Sequence, residues 1–234
     1  HLVAVSAKEG SILWKQSVSF EPSQKKHKQN SHATNTPTVD RERVYVLWQG
    51  ARESPVLAYD HEGNLLWKTD LGSFVSGQGP AVSPIVHDRL LIISNDREGE
   101  RSSLIALNTQ TGQEVWNIPR AGERACFSTP CLFQAPGREA ELIFTHCYQG
   151  IWGVDLVRGE KLWEIDVFGR FDQRACASPI VAGEYIIGTS GFTTGEKNVV
   201  VVKTEKSPVG ITAKELYRIS RLAPHIPTPL VYRD

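Results

Sequence analysis

The 234-residue sequence contains no methionine and no excess of either charge: 26 basic side chains balance 26 acidic ones, and the formal net charge is zero. A neutral chain carries no whole-molecule field to draw it to nucleic acid or an anionic membrane, so no nucleic-acid partner is expected. Charged residues make up 22%, close to an ordinary globular domain, which excludes a disordered acidic or basic tail. No stretch approaches the roughly 18 consecutive apolar residues of a membrane-spanning helix, and no segment reads as a signal peptide. The four cysteines, Cys126, Cys131, Cys147 and Cys176, are too few for a disulfide scaffold. They show neither an adjacent pair nor C-x-x-C spacing, and His27, His32 and His146 are scattered over two repeats, so no metal site is expected. Beginning at His1, the sequence reads as a processed product or a fragment.

What the sequence does have is rhythm. Trp14, Trp67, Trp116 and Trp163 stand 53, 49 and 47 residues apart, and Tyr217 follows 54 later. Gly10, Gly63, Gly112 and Gly159 each lie four residues ahead of one of those tryptophans. A second series, Pro37, Pro84, Pro130, Pro179 and Pro229, always follows Ser or Thr, at spacings of 47, 46, 49 and 50. Two independent series with one period mark a repeat architecture.

Each unit holds four short apolar runs bounded by Gly, Asp and Asn, which predict strands. The first strands are Thr38-Val39, Ile85-Val86, Leu132-Phe133, Ile180-Val181 and Leu230-Val231; the second are Val44–Trp48, Leu90–Ile93, Leu142–Phe144 and Tyr185–Gly188. The third are Leu2–Val5, Val56–Tyr59, Leu104–Leu107, Ile151–Val154 and Val199–Val202, and the fourth are expected to end on the Trp or Tyr. The fold class is therefore all-β, a β-propeller of four-stranded antiparallel blades. The blades fall at 36–67, 83–116, 129–163 and 178–217, with partial blades at 1–18 and 228–234 of a single domain or fragment. A lone blade cannot bury both faces, so each must seal its neighbour. The tryptophans fill the widening gap between blades, the glycines supply the positive φ of the hairpin that precedes them, and the prolines open the innermost strands. These eight Trp and Gly positions are read as structural.

The segments AVSAKEGSILW, AYDHEGNLLW, ALNTQTGQEVW and GVDLVRGEKLW resemble the quinoprotein-type (PQQ-like) propeller repeat, A-x-D-x-x-T-G-x-x-x-W. That repeat occurs in quinoprotein dehydrogenases and in the outer-membrane-assembly lipoprotein BamB. Ala106 to Trp116 matches best, with Asn108 in place of Asp. SHATNTPTVDRERVYVLW, SPIVHDRLLIISND and APHIPTPL are similar to PQQ-like repeat proteins of planctomycetes. The fifth unit departs from the pattern: Ala213 replaces the glycine and Lys203 to Ala213 lengthens the hairpin, which predicts a distorted outer edge. The resemblance implies a slice of a seven- or eight-bladed ring in a bacterial periplasmic or secreted protein.

No catalytic residue is assigned, and no cofactor is expected. A quinoprotein dehydrogenase remains an alternative, and the resemblance would then imply pyrroloquinoline quinone on a calcium held by Glu, Asn and Asp. No such oxygen cluster stands out, and the insertions that cover the cofactor are missing. Cys126 and Cys147 flank a predicted hairpin registered through Phe133 and Leu142. They read either as a disulfide or, like the other two cysteines, as small buried hydrophobes.

The remaining signal lies on one face. Loops from fourth to first strand and from second to third strand open on the same side. They carry the Lys25–Lys28 run, His32 and Asn35, then Asn95 and Asp96, and Arg124-Ala-Cys126 echoed by Arg174-Ala-Cys176. His146, Tyr148, Phe171 and Asp172 complete a polar and aromatic surface. Loops on a rigid scaffold carry binding, and Arg with aromatics is a hot-spot composition. The candidate binding residues are thus His32, Asn35, Asp96, Arg124, His146, Tyr148, Asp172 and Arg174, for a protein or cell-envelope partner. Two other readings stay open: the arginines tie loops down through acids such as Glu123 and Asp172, or His146 or His32 serves as the base of a hydrolase or lyase beside Arg124 and Arg174.

Overall fold

The computed structural model describes residues 1–22, 25–99, 102–120, 124–146, 149–168, 174–191, 197–221 and 223–232. Among the described residues the regular elements are all β-strands, in five antiparallel sheets. The first sheet pairs Leu2–Val5 (β1) with Ile12–Gln16 (β2). The second contains Thr38–Val39 (β3), Arg43–Leu47 (β4), Pro55–Asp60 (β5) and Leu65–Asp70 (β6). The third has Ile85–His87 (β7), Leu90–Asn95 (β8), Ser102–Asn108 (β9) and Glu114–Arg120 (β10). Cys131–Phe133 (β11), Glu141–His146 (β12), Gly150–Asp155 (β13) and Lys161–Ile165 (β14) form the fourth. Ile180–Ala182 (β15), Tyr185–Gly191 (β16), Lys197–Ser207 (β17) and Gly210–Ile219 (β18) form the fifth. Every four-stranded sheet keeps its strands in chain order, as propeller blades do.

Three expectations need correction. The fourth strands do not end on their aromatic residue but run two to four residues past it. They can do so because the hairpin is bulged beside the aromatic: the register shifts at Ala4/Val5, Ala58/Tyr59, Gly153/Val154 and Val201/Val202, and a bulge absorbs one residue without ending the pairing. Leu230-Val231 forms no strand; no described strand bonds to it. The fifth blade is not distorted at its edge. β17 and β18 extend in continuous register from Val202↔Glu215 out to Ser207↔Gly210.

The chain divides into two compact units, His1–Asn95 with Ile105–Val115, and Asp96–Leu104 with Trp116–Asp234. In the first, β4 shows why blades must stack. Tyr45 and Leu47 enter a core with Trp67, Leu91 and Leu107, while Val44, Val46 and Trp48 point the other way into a core with Leu2, Leu57 and Tyr59. With both faces apolar the strand has no solvent side, and each buried aliphatic side chain stabilises by about 1.5–3 kcal/mol. In the second unit Phe133, Ile143, Ile151, Ile186, Val200 and Val202 fill the equivalent space between the last two blades.

The two repeat markers act as fasteners between consecutive blades. Within the first unit, Trp14 Nε1 donates to His61 O at 2.8 Å and Trp67 Nε1 to Thr109 O at 2.9 Å. Within the second, Trp116 Nε1 donates to Leu156 O at 3.1 Å. Each indole also lies against the hairpin glycine of the following blade. A Cβ on Gly63, at φ +88°, would meet Trp14, and one on Gly159, at φ +67°, would meet Trp116. These glycines are needed for both conformation and space. The Ser/Thr-Pro series makes a parallel set of bonds. Thr36 N donates to Ser83 Oγ and Thr129 N to Ser178 Oγ, both at 2.9 Å, and Ser178 N to Thr228 Oγ1 at 3.1 Å. The hydroxyl, which the sequence reading passed over in favour of the proline, satisfies a backbone donor one blade earlier.

Candidate functional site

The two classes of loop expected to share a face do meet. In the first unit, Pro22 of the β2–β3 connection is bridged to Gly50 of the β4–β5 loop, and Ala51 N donates to Glu21 O at 2.9 Å. Phe74 N, from the β6–β7 connection, donates to Gly50 O at 2.8 Å. Phe20 packs on Trp48, with ring centroids 5.6 Å apart. Gln78 O accepts from His27 N at 3.0 Å and from Asn30 Nδ2 at 2.8 Å, so the loop carrying the exposed Lys25–Lys28 run is pinned to the next blade. His32 is half-buried there. Asn35 Nδ2 donates to Leu47 O at 3.2 Å and Gln49 Oε1 at 3.3 Å.

In the second unit the structure assembles four side chains that the sequence scattered over fifty residues. Asp96 follows β8, Arg120 ends β10, Cys126 lies in the β10–β11 connection, and His146 ends β12. Register explains His146. The residue after each blade's Ser/Thr-Pro pairs with Tyr45, Ile92, Ile143 or Ile187, which puts His146 at the station of Trp48, Asn95 and Ser190, where the second strand turns into a loop. Arg120 clamps the Asp96 carboxylate, with Nε 3.0 Å from Oδ1 and Nη2 on Oδ2, and its guanidinium lies 5.8 Å from the Phe144 ring centroid. The ligating atoms of Asp96, Cys126 and His146 all lie within 4.8 Å of one another, and each of the three residues is only 1% exposed. Burial pushes the Asp96 carboxyl above the usual range, against the pull of Arg120 and then of His146.

A neighbouring cluster repeats the chemistry less completely. Arg174 pairs with Glu98, and Cys176 Sγ lies 3.6 Å from His225 Nε2. Burial, then the nearby Cys126, pushes the Cys176 thiol up to about 11 despite Arg174. Phe127 N donates to Ala175 O at 2.8 Å, joining the two Arg-Ala-Cys segments. Cys126, Cys131 and Cys176 form no disulfide; Cys147, the partner the sequence suggested for Cys126, lies outside the described residues. Phe133 pairs with Glu141, not with Leu142.

Of the candidate binding residues, His32 and Asn35 belong to the first unit, and Asp96, Arg124, His146 and Arg174 to the second. Tyr148 and Asp172 lie outside the described residues, as do Phe171 and Glu123. Asp96 and His146 come together, with Cys126 and Arg120, which the sequence reading did not assign. Arg174 is tied to Glu98. The available signal for Arg120 was alternation. In β10, Trp116, Ile118 and Arg120 share one face, and an arginine four places beyond the buried Trp116 on that inward face calls for a buried acid.

The acid, thiol and imidazole are the side-chain types of a nucleophilic triad or of a metal site. A triad must admit its substrate, and side chains this enclosed do not. A calcium-held quinone does not fit the described donors either. Calcium takes six to eight oxygen ligands, whereas this cluster offers one carboxylate beside sulfur and nitrogen.

Residues 1–212 match the family described as outer membrane protein assembly factor BamB. No curated protein sequence matches the chain. Among solved structures, BamB from Moraxella catarrhalis is similar at 13% identity and a TM-score of 0.55, covering 95% of this chain and 76% of that one. A europium-containing methanol dehydrogenase is similar at 13% identity and a TM-score of 0.57, covering 85% and 45%. The quinohemoprotein alcohol dehydrogenase from Comamonas testosteroni is similar at 14% identity and 0.54, covering 92% and 40%. The chain thus spans about three quarters of the BamB structure and less than half of either dehydrogenase.

Proposed function

This chain belongs to the family of the outer membrane protein assembly factor BamB, and we propose that it is a propeller scaffold that binds a protein or cell-envelope component and runs no reaction of its own. The observation that carries this reading is the cross-tying of the loop face. In the first unit the β2–β3 connection is bonded to the β4–β5 and β6–β7 loops, and in the second Arg120–Asp96 and Arg174–Glu98 hold successive loops. A surface fixed before a partner arrives loses little conformational freedom on binding. Arg174, one of the two arginines read from the sequence as anchors, is paired with Glu98, and on this reading contact falls to what stays exposed on the pinned loops, beginning with Lys25, Lys26 and Lys28. The setting that fits is the periplasm or the cell exterior. Among the described residues no helix is long and apolar enough to cross a membrane. The dehydrogenase neighbours share the fold at 13–14% identity, which supports no activity by itself.

The reading is tested by placing a photo-crosslinking residue at Lys25 or Lys28, and at Val209 in the β17–β18 turn at the opposite end of its blade, in the full chain within its source cells. Discrete adducts at the loop positions and none at Val209 are expected, with no dye reduction when quinone, calcium and an alcohol are added. Dye reduction without any loop adduct would reverse the assignment.

A further inference from the structure

We propose that Asp96, Cys126 and His146 form a buried three-ligand binding site for one divalent transition-metal ion of the zinc class, with its fourth position left to water. The three ligands come from three separate segments: the β8–β9 loop, the β10–β11 connection and the end of β12. Their ligating atoms already lie within 4.8 Å of one another. Bond lengths of about 2.0–2.3 Å around a tetrahedral ion put ligand atoms roughly 3.4–3.7 Å apart, so side-chain rotations of about an ångström complete the site. The donor set chooses the metal. Sulfur and imidazole nitrogen favour zinc and its borderline neighbours and disfavour calcium and magnesium, which want oxygen.

The surroundings have the form that such a site needs. Arg120 holds Asp96 through Nε on Oδ1 at 3.0 Å and through Nη2 on Oδ2, which fixes the carboxylate beside Cys126 and His146. Partners that orient ligands in this way tune metal affinity by roughly 10–100-fold. The three ligands are each 1% exposed, so the ion would serve structure: it would clamp three segments of the loop face to one point. Nothing in this inference depends on what that face binds.

The experiment uses the full chain. Bound zinc is counted by mass spectrometry on protein purified without chelator, and chelated protein is titrated with Co2+ while its absorption and melting temperature are followed. About one metal per chain, a thiolate-to-cobalt charge-transfer band and a rise in melting temperature are expected. Cys126→Ser should abolish the band and weaken Co2+ binding by more than the roughly 100-fold ceiling of outer-shell changes. Cys131→Ser, in the core between the last two blades, should change neither. His146→Ala should lose the metal, and if that variant does not fold, the Cys126 pair of measurements stands alone. Absence of a band and of any melting shift in folded wild-type protein overturns the proposal. So does a band that survives Cys126→Ser but disappears in Cys176→Ser, which would move the metal to the Cys176–His225 pair.

Discussion

Trp116 and Trp163 occupy the same station of successive blades in the second unit, yet they are fastened differently. Trp116 gives its N–H to a neutral carbonyl, Leu156 O, in the hairpin of the next blade and rests on that hairpin's Gly159. Trp163 faces a hairpin that has grown to Ser207–Gly210 and carries Ala213 in place of the glycine. Its Nε1 turns back to Glu141 Oε2 in its own blade, 2.7 Å away. Gly153, directly across from it in the register, leaves the room, since a Cβ there would collide with the indole. A buried carboxylate needs a counter-charge, and Arg138 supplies it, pairing with Glu141 while Nη1 donates to Thr204 Oγ1 at 2.9 Å on the elongated β17. The join between blades is therefore kept but rebuilt from charge, and charge raises the cost of removing any one member.

The largest expected effect follows from that difference. Glu141→Ala leaves the Arg138 guanidinium, whose side chain is 8% exposed, without its partner, and should destabilise by about 3–5 kcal/mol in urea denaturation. Adding Arg138→Met should recover most of the loss, because the isolated buried charge, more than the missing bond, is what costs. A double variant no better than the single one would show that the carboxylate serves chiefly as acceptor for Trp163.

Next come the glycines. Gly159→Ala faces both a positive φ, about 1–2 kcal/mol, and displacement of the Trp116 ring, about 1–3 kcal/mol, for a total of about 2–5. Gly10→Ala, at φ +70° with open space around the new Cβ, should cost the conformational part alone. Equal losses at the two positions would mean that the indole seat contributes nothing. A smaller difference separates the aromatic stations themselves. Trp163→Phe gives up a bond to an ionised group and Trp116→Phe a bond to a neutral one, so the first should cost about 1 kcal/mol more in the same assay.

Why the blades were legible and the site was not can be argued from these residues. Trp14, Trp67 and Trp116 meet the same hairpin in each following repeat, so one solution recurs at a fixed period and shows as rhythm. Trp163 kept its place in the rhythm while its partner changed, and nothing in the spacing reports that Glu141 and Arg138 had taken over. Ala213 was the visible trace; it read as damage to an edge where the structure has a longer, regular hairpin. Apart from Cys126, whose Arg-Ala-Cys segment recurs at Cys176, the Asp96 cluster leaves no periodic mark. Its members, Asp96, Arg120, Cys126 and His146, follow one another at gaps of 24, 6 and 20 residues and meet only because register carries β8, β10 and β12 to a common end. His146 and Asp96 were picked out as loop polarity, for an exposed role, and proved to be buried.

The smallest effect tests whether the hairpin turns, unlike the tryptophan stations, are interchangeable. Asn108 Oδ1 accepts Gln110 N at 2.9 Å and Thr111 N at 3.1 Å, and Asp155 Oδ1 accepts Val157 N at 2.9 Å and Arg158 N at 2.8 Å. The acceptor oxygen, common to Asp and Asn, is what the turn uses. Where a single oxygen accepts, the two differ only in titration; at Asp60 the second oxygen also accepts, from Asn64 Nδ2 at 2.8 Å. In the turn before Trp67, the Asn64 side-chain amide and then backbone N–H groups hold the Asp60 carboxyl below the ordinary aspartate value of 3.8. A carboxyl depressed in the folded state adds its stability in full above the unfolded-state value and loses it as pH falls through the folded one. Carboxyl-detected NMR should therefore find Asp60 titrating below 3.8, rising when Asn64 becomes Ala. Asp60→Asn should remove that acid-linked loss, and with it the small contribution the depressed carboxyl makes at neutral pH, read as a slightly lower urea midpoint. If Asp60 titrates normally and Asp60→Asn loosens the hairpin at neutral pH, the turn depends on charge as the Trp163 station does, and the contrast between the two kinds of joint disappears.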